Sequence, residues 1–117
     1  MPFFTYSQNN SGGGFDYDAT DGITNYVIVE ADDAEHADYR AKRIGLYFDG
    51  VENDQDCGCC GDRWSEAYGA GDDEPMIYGK PLAEFDPWYR WMDGFEVFVH
   101  HADGRIVGHF PNIRKGA

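Results

Sequence analysis

The sequence predicts an α+β fold: a small, largely antiparallel sheet of about four strands, packed by one main helix, with a long cysteine-containing loop. Short alternating or β-branched segments, at residues 3–8, 26–30 and 95–100, are typical of strands. A single central segment has helical periodicity, and Asp103-Gly104 is a strong hairpin turn between two apolar runs. The 117 residues contain no linker or repeat, so we expect one domain over residues 1–117.

In the first half of the chain, the sequence pattern predicts two main strands. Residues 3–8 alternate aromatic and small polar side chains, and residues 9–14 follow as an Asn- and Gly-rich loop. Residues 15–17 briefly resume a strand pattern, and residues 26–30 are the clearest strand because they are rich in β-branched side chains.

The main helix is predicted to begin just after this strand. Asp32 is placed as the N-cap, with Glu35 three residues later completing a capping box. Gly45 is expected near the C-terminal end. A narrow, alanine-lined apolar stripe indicates close packing on a sheet, and consists of Ala34, Ala37, Ala41, Ile44 and Phe48.

The second half begins with an acidic, glycine-rich stretch at residues 51–74 that has no regular periodicity. A loop of that length inside a domain must be fastened by something, and we expect it to pack against the helix end or the strand carrying His100. Residues 76–78 predict a short strand, and residues 81–91 a helical turn with an aromatic cluster. Residues 95–100 and 106–110 predict a hairpin.

The formal net charge is −13, from 22 acidic against nine basic residues. Such a chain repels nucleic acid and anionic membranes within a Debye length of roughly 8 Å, and it suits a basic partner. No apolar run approaches the roughly 20 residues of a membrane span, and the N-terminus lacks signal-peptide features. We therefore expect a cytosolic protein that makes no direct contact with nucleic acid or membrane.

All three cysteines lie in one short segment, at Cys57, Cys59 and Cys60. The odd number and the adjacent pair argue against a disulfide framework. Cys57 and Cys60 form a Cys-x-x-Cys-Gly turn of the kind that binds zinc, with Cys59 as a third ligand. His100 is the favoured fourth ligand. Thiols that simply pack as small hydrophobes are the alternative, while neighbouring carboxylates disfavour redox chemistry.

The Asn- and Gly-rich loop is a second candidate site, because its backbone N–H groups and amides are able to wrap an anion or a nucleotide. It lacks the P-loop ending and the dinucleotide fingerprint, and a flexible hairpin end is the alternative. A nucleotide would also need a local cationic pocket, from Arg40, Lys42, Arg43, Arg63 or Lys80. The predicted ligand-binding residues are Gln8, Asn9, Asn10, Ser11, Arg63 and Trp64.

Three segments together resemble a family of small tailed-bacteriophage proteins. They are Phe4-Thr-Tyr-Ser-Gln-Asn-Asn-Ser-Gly-Gly13, the strand-to-helix run that ends in Tyr47-Phe-Asp-Gly50, and Asp56-Cys-Gly-Cys-Cys-Gly-Asp-Arg-Trp64. The resemblance covers about residues 3–110, and the cysteine segment is its most specific part. It implies a phage origin and the cytoplasm of an infected bacterium, and it implies no reaction and no catalytic residue.

Two classes of function follow. The first is a non-enzymatic accessory protein that binds a host or anti-phage defence protein with a basic surface, DNA mimicry being one version. The second is a binder that sequesters a nucleotide signal at residues 8–14. Serine and histidine residues lack a hydrolytic context, so an enzyme ranks third.

Overall fold

The computed structural model describes residues 1–9, 18, 20–56, 58, 61–77, 79–82 and 97–109. The predicted strand at residues 15–17, nearly all of the predicted loop at 9–14 and nearly all of the aromatic segment at 81–91 lie outside these ranges. The strands are β1 (Phe3–Ser7), β2 (Tyr26–Glu30), β3 (Met76–Ile77), β4 (Lys80–Pro81), β5 (Val97–His100) and β6 (Ile106–His109). The helix is α1 (Ala34–Ile44).

The α+β prediction is confirmed. Four strands form one mixed, mostly antiparallel sheet in the order β1-β2-β5-β6, in which only the β2–β5 pair is parallel, and β3 and β4 form a separate short hairpin. Sequence reasoning missed β4 and the parallel pairing. The helix of the described part of the chain is too short and too polar to traverse a bilayer.

Alternation along the strands divides the buried side chains between two faces. The face toward α1 is built around Val27 and Val29, while Ile28, Val97 and Val99 belong to the opposite face, which Ile77 and Leu82 cover. The core on the helix face consists of Phe4, Tyr6, Ile23, Val27, Val29, Ala31, Ala37, Ala41, Leu46, Phe48 and Trp64. A sheet buried on both faces explains why β2 and β5 are nearly continuous apolar runs.

The N-cap of the helix lies one residue later than predicted. Asp33, not Asp32, is the N-cap, and its side chain accepts the His36 N–H at 2.8 Å. The Asp32 N–H instead donates to His36 Nδ1 at 3.1 Å. Two adjacent aspartates both satisfy the sequence rule for a cap, and only the backbone geometry selects one. Gly45 ends the helix as predicted, with φ 130°.

Candidate functional site

The first half of the connection between α1 and β3 is fastened by partly buried polar side chains, which we call the polar junction: Gln8, Tyr47, Asp56, Asp62 and Arg63. Asp56 is its centre, with a side chain only 1% exposed. Its Oδ2 accepts the Arg63 N–H at 2.8 Å and its Oδ1 accepts the Tyr47 hydroxyl at 2.8 Å. Arg63 Nε lies 3.8 Å from the same carboxylate and donates to the Tyr47 hydroxyl at 3.2 Å. The carboxylate is therefore both paired and hydrogen-bonded.

Arg63 also joins this junction to the end of β1. Its Nη1 donates to Gln8 Oε1 at 2.8 Å, and its carbonyl accepts the Asn9 N–H at 2.9 Å. The Asn9 side chain donates to the Asp62 carbonyl at 3.2 Å. The structure thus brings together three of the residues predicted to bind a ligand.

Local backbone turns allow this arrangement. Asp49 and Asp54 have φ values of 57° and 62°, a conformation that Asp tolerates better than most residues. The Gly50 carbonyl accepts the N–H groups of Gln55 and Asp56, which closes the turn. A side chain at residue 50 would collide with the Asp56 carboxylate, so glycine is required there. Asp62 Oδ1 accepts the Val51 N–H at 2.9 Å and closes the next turn.

Side chains of the junction are hydrogen-bonded to one another and to the neighbouring backbone. Burial raises the pKa of Tyr47, and the hydrogen bond to Asp56 raises it further, while Arg63 opposes the change. Gln8 uses both ends of its amide, because its Nε2 donates to the Thr24 carbonyl at 3.0 Å. A nucleotide phosphate would have to displace these partners to reach Arg63. The observed contacts are those of a structural fastening.

The other predicted ligand residues, and the cations considered for a local pocket, are placed as follows. Trp64 is 2% exposed and packs in the core on the helix face, so its ring presents no open face to a ligand. Arg40 donates to the carbonyls of Glu30 and His101. Lys42 and Arg43 are exposed on α1, over the rings of Phe48 and Tyr39. Asn10 and Ser11 lie outside the described residues.

The predicted zinc ligands Cys57, Cys59 and Cys60 also lie outside the described residues, and zinc binding there stays a prediction. His100 is 3% exposed, and its Nε2 is 2.8 Å from the Gly22 carbonyl oxygen. Its predicted ligand role would therefore fall to Nδ1. Within the ranges that the structure describes, no three His, Cys, Asp or Glu residues converge as a metal site.

Two buried polar atoms stand beside the junction without a hydrogen-bond partner among the described residues. They are Thr24 Oγ1 and Asn25 Oδ1, on residues that are 0% and 5% exposed. Burying a hydroxyl or an amide oxygen without a partner costs free energy. The two residues just before β2 therefore have less complete hydrogen bonding among the described residues than the junction beside them.

Sequence reasoning missed a groove along the outer edge of β1. Its volume is about 320 Å³. The groove is lined by Phe3, Phe4, Thr5, Glu66, Ala67, Tyr68, Gly71 and Asp72. The alternation in residues 3–8 predicts a strand but does not reveal that the strand lies at an edge, because strand order depends on the whole chain.

The second half of the loop forms the far wall of this groove. The Ala67 N–H donates to Asp38 Oδ1 at 2.8 Å, and the Tyr6 hydroxyl donates to the same oxygen at 2.7 Å. Burial, followed by the bond to Asp38, raises the pKa of Tyr6. Asp72 pairs with Phe3 through two backbone hydrogen bonds of 2.8 and 2.9 Å. The wall is thus held to α1 at one point and to β1 at another.

Comparison with known proteins adds one finding. A family model described as a domain of unknown function, DUF7296, matches residues 1–115. The chain belongs to the DUF7296 family. No curated protein and no solved structure matches it. The groove and the polar junction of this DUF7296 chain both lie within the matched residues.

The described surface of the DUF7296 chain is dominated by carboxylates. The exposed cations among the described side chains are Lys42, Arg43 and Arg105. The exposed carboxylates are Asp18, Asp21, Asp32, Asp33, Glu35, Asp49, Glu52, Asp54, Glu66, Asp73, Glu74 and Asp103. They occur on the helix start, on both halves of the long loop and on the β5–β6 turn, so the negative charge is distributed over the surface.

Proposed function

We propose that this protein is a non-enzymatic phage accessory protein that binds a basic host or defence protein and thereby inhibits or redirects it. The observation that carries the proposal is the excess of exposed carboxylates over exposed cations on the described surface. The resemblance to tailed-phage proteins supports a partner in the infected bacterial cytoplasm.

A distributed negative potential favours this class of partner for a physical reason. It raises the rate of encounter with a positively charged protein, and it repels nucleic acid and anionic lipid. The effect is screened beyond roughly 8 Å at physiological salt, so it acts on association more than on the final packed contact.

The contacts of Gln8 and Arg63 weigh against the nucleotide alternative. The one cation among the predicted ligand residues is held by Asp56, Tyr47 and Gln8. An anion at this position would compete for Arg63 with the Asp56 carboxylate, which is 1% exposed. The protein-binding proposal needs no such rearrangement, because its surface is already exposed.

The test compares two baits in lysate of a susceptible bacterium, at low and at high salt. One bait is the protein itself, and the other replaces exposed carboxylates by amides, with the substitutions E35Q, E52Q, D54N, E66Q, D73N and E74Q. We expect the first bait to retain one or a few basic proteins at low salt, and both the added salt and the substitutions to reduce their recovery. Each retained protein is then purified, and its association rate is measured with both baits.

The nucleotide alternative is tested in parallel by thermal shift with cyclic nucleotides and ADP-ribose. A ligand at 100 times its dissociation constant stabilises a protein by about 2.7 kcal/mol, which is readily detected. A clear shift with one of these compounds, with no basic protein retained, would overturn the proposal.

A further inference from the structure

The outer edge of β1 has backbone groups that point away from the sheet. The Gln8 N–H donates to the Asn25 carbonyl, and the Ala31 N–H donates to the Pro2 carbonyl. With the register of the pair, these bonds show that the backbone N–H and C=O groups of the even-numbered β1 residues point toward β2. Residues alternate in an antiparallel ladder, so the N–H and C=O groups of Thr5 and Ser7 point outward. An outward row of this kind is a template for another strand.

The two ends of this edge are already closed by the loop. At one end, Phe3 exchanges two backbone hydrogen bonds with Asp72. At the other end, the Asn9 N–H donates to the Arg63 carbonyl. Between them, Thr5 and Ser7 have no backbone partner in the part of the chain that the structure describes. Six residue steps of strand span about 20 Å, which leaves room for an inserted segment of about four residues.

The groove beside this open stretch is negatively charged. Glu66 and Asp72 line it, and Asp73 and Glu74 are exposed immediately beyond. Tyr68, which is 89% exposed, stands on its wall. An exposed tyrosine is well suited to contact a partner, because it buries a large rigid surface with little loss of conformational entropy.

The opposite edge of the sheet has a different charge. On β6, the outward backbone groups among the described residues belong to Ile106 and Gly108, since the His101 N–H donates to the Arg105 carbonyl. Arg105 pairs with Asp103 at 2.8 Å at the start of that edge, and its charge is neutralised there. Charge complementarity with a basic partner therefore selects the β1 edge.

We propose that an extended, basic segment of the partner protein adds to β1 as a short strand, bonding to the backbone of Thr5 and Ser7. Lysine or arginine side chains on this segment face Glu66 and Asp72, and Tyr68 packs on it from the side. The main-chain bonds provide affinity and the carboxylates select a basic sequence. This inference rests on the proposed function, because it assigns that function's partner a docking site.

The probe is an acetylated and amidated hexapeptide of alternating lysine and threonine. Its matched control is the same peptide N-methylated at every residue, which keeps the charge and loses the N–H donor of each residue. Amide exchange of the protein is followed residue by residue by NMR. In the free protein, we expect the amides of Thr5 and Ser7 to exchange faster than those of Phe4 and Tyr6. At saturating peptide, we expect their exchange to slow at least tenfold, with no such change for the N-methylated peptide.

Variants of the protein provide the second arm. Ser7→Pro removes one outward donor, and an edge strand tolerates proline at such a position. We expect Ser7→Pro to weaken peptide binding about tenfold and Ser7→Ala to leave it unchanged, with equal melting temperatures showing that both fold. E66Q/D73N/E74Q should weaken binding more than E35Q/E52Q/D54N, which removes the same charge elsewhere.

The outcomes separate this inference from the proposed function. Equal binding of both peptides, or peptide-induced changes confined to other surfaces, would overturn the edge site while leaving a basic partner in place. Failure of the peptide to bind at all would overturn it too, whatever the lysate experiment retains. Loss of the basic partner in the lysate experiment would remove the proposed function itself.

Discussion

The connection between α1 and β3 is fastened in two different ways along its length. Up to Arg63, it is held by a buried network in which Asp56 is nearly inaccessible and fully paired. Beyond Trp64, it is held at two separate points, at Asp38 and at Phe3, with a groove of about 320 Å³ beside it. Buried charges demand complete pairing and therefore fix a geometry. The part beyond Trp64 is attached at fewer points, so backbone groups and carboxylates beside the groove are available to a partner.

The largest expected effect comes from breaking the polar junction. Arg63→Ala should lower the free energy of unfolding by about 3–5 kcal/mol, because it leaves the buried Asp56 carboxylate without its cation. Urea unfolding measures the change. Arg43→Ala, on the exposed face of α1, is the control and should cost less than about 1 kcal/mol. Similar losses for the two variants would mean that the junction is not a buried charge pair.

The second effect distinguishes a packed from an open position on the groove wall. Gly71 and Gly69 have φ values of 77° and 79°, so alanine is strained at both by about 1–2 kcal/mol. At Gly71 a Cβ would also lie 3.0 Å from the Phe3 carbonyl oxygen, whereas at Gly69 it would meet nothing within 4 Å among the described residues. Gly71→Ala should therefore be less stable than Gly69→Ala by a further 1–3 kcal/mol or so in urea unfolding. Equal stabilities would show that the loop moves freely at residue 71.

The third effect concerns pH and the histidine at the end of β5, which belongs to neither half of the loop. Burial lowers the pKa of His100, and the hydrogen bond to Gly22 offsets this in part, while Arg40 and His101 lower it further. The folded state therefore prefers the neutral ring. Stability is retained above the unfolded pKa of about 6.5 and is lost as the pH falls from there toward the folded pKa, by at most about 1.4 kcal/mol per pH unit.

The measurement is urea unfolding at several pH values between 7.5 and 5.5. We expect His100→Gln to remove part of the loss that the unsubstituted protein shows over this interval, and His36→Gln, on the surface of α1, to leave the loss unchanged. An identical pH dependence with and without His100 would contradict the buried neutral ring.

The smallest effect is a change in stability, which we expect to be an increase at one threonine and a decrease at another. Thr24→Val removes a hydroxyl that has no partner in the described ranges and should raise stability by up to about 1 kcal/mol. Thr5→Val removes a hydroxyl that donates to the Met76 carbonyl at 2.6 Å and should lower stability by about 1 kcal/mol. Thermal unfolding of both variants checks the signs. A loss at Thr24 would indicate that a water or a polar ligand normally satisfies it.

Much of the fold was predictable because its signals are local. Alternation at residues 3–8, β-branched residues at 26–30 and an alanine stripe before Gly45 each indicate one element with little help from the rest of the chain. The sequence placed Gln8, Asn9 and Arg63 together only as residues that would bind a common ligand. It did not predict that they hydrogen-bond to one another, because a hydrogen bond between residues some 55 positions apart leaves no periodic pattern in the sequence.

The sequence by itself determined most of the helix and strand positions, the negative charge and the need to fasten a long irregular loop. Hydrophobic period and composition encode those properties residue by residue. Tertiary structure alone decided that β2 and β5 run parallel and that Trp64 is core. It also decided that β1 is an edge strand of the described sheet, where no described residue pairs with the outward backbone groups of Thr5 and Ser7. Those properties depend on which distant segments bury one another, and a strand at an edge and a strand at the centre can have the same local pattern.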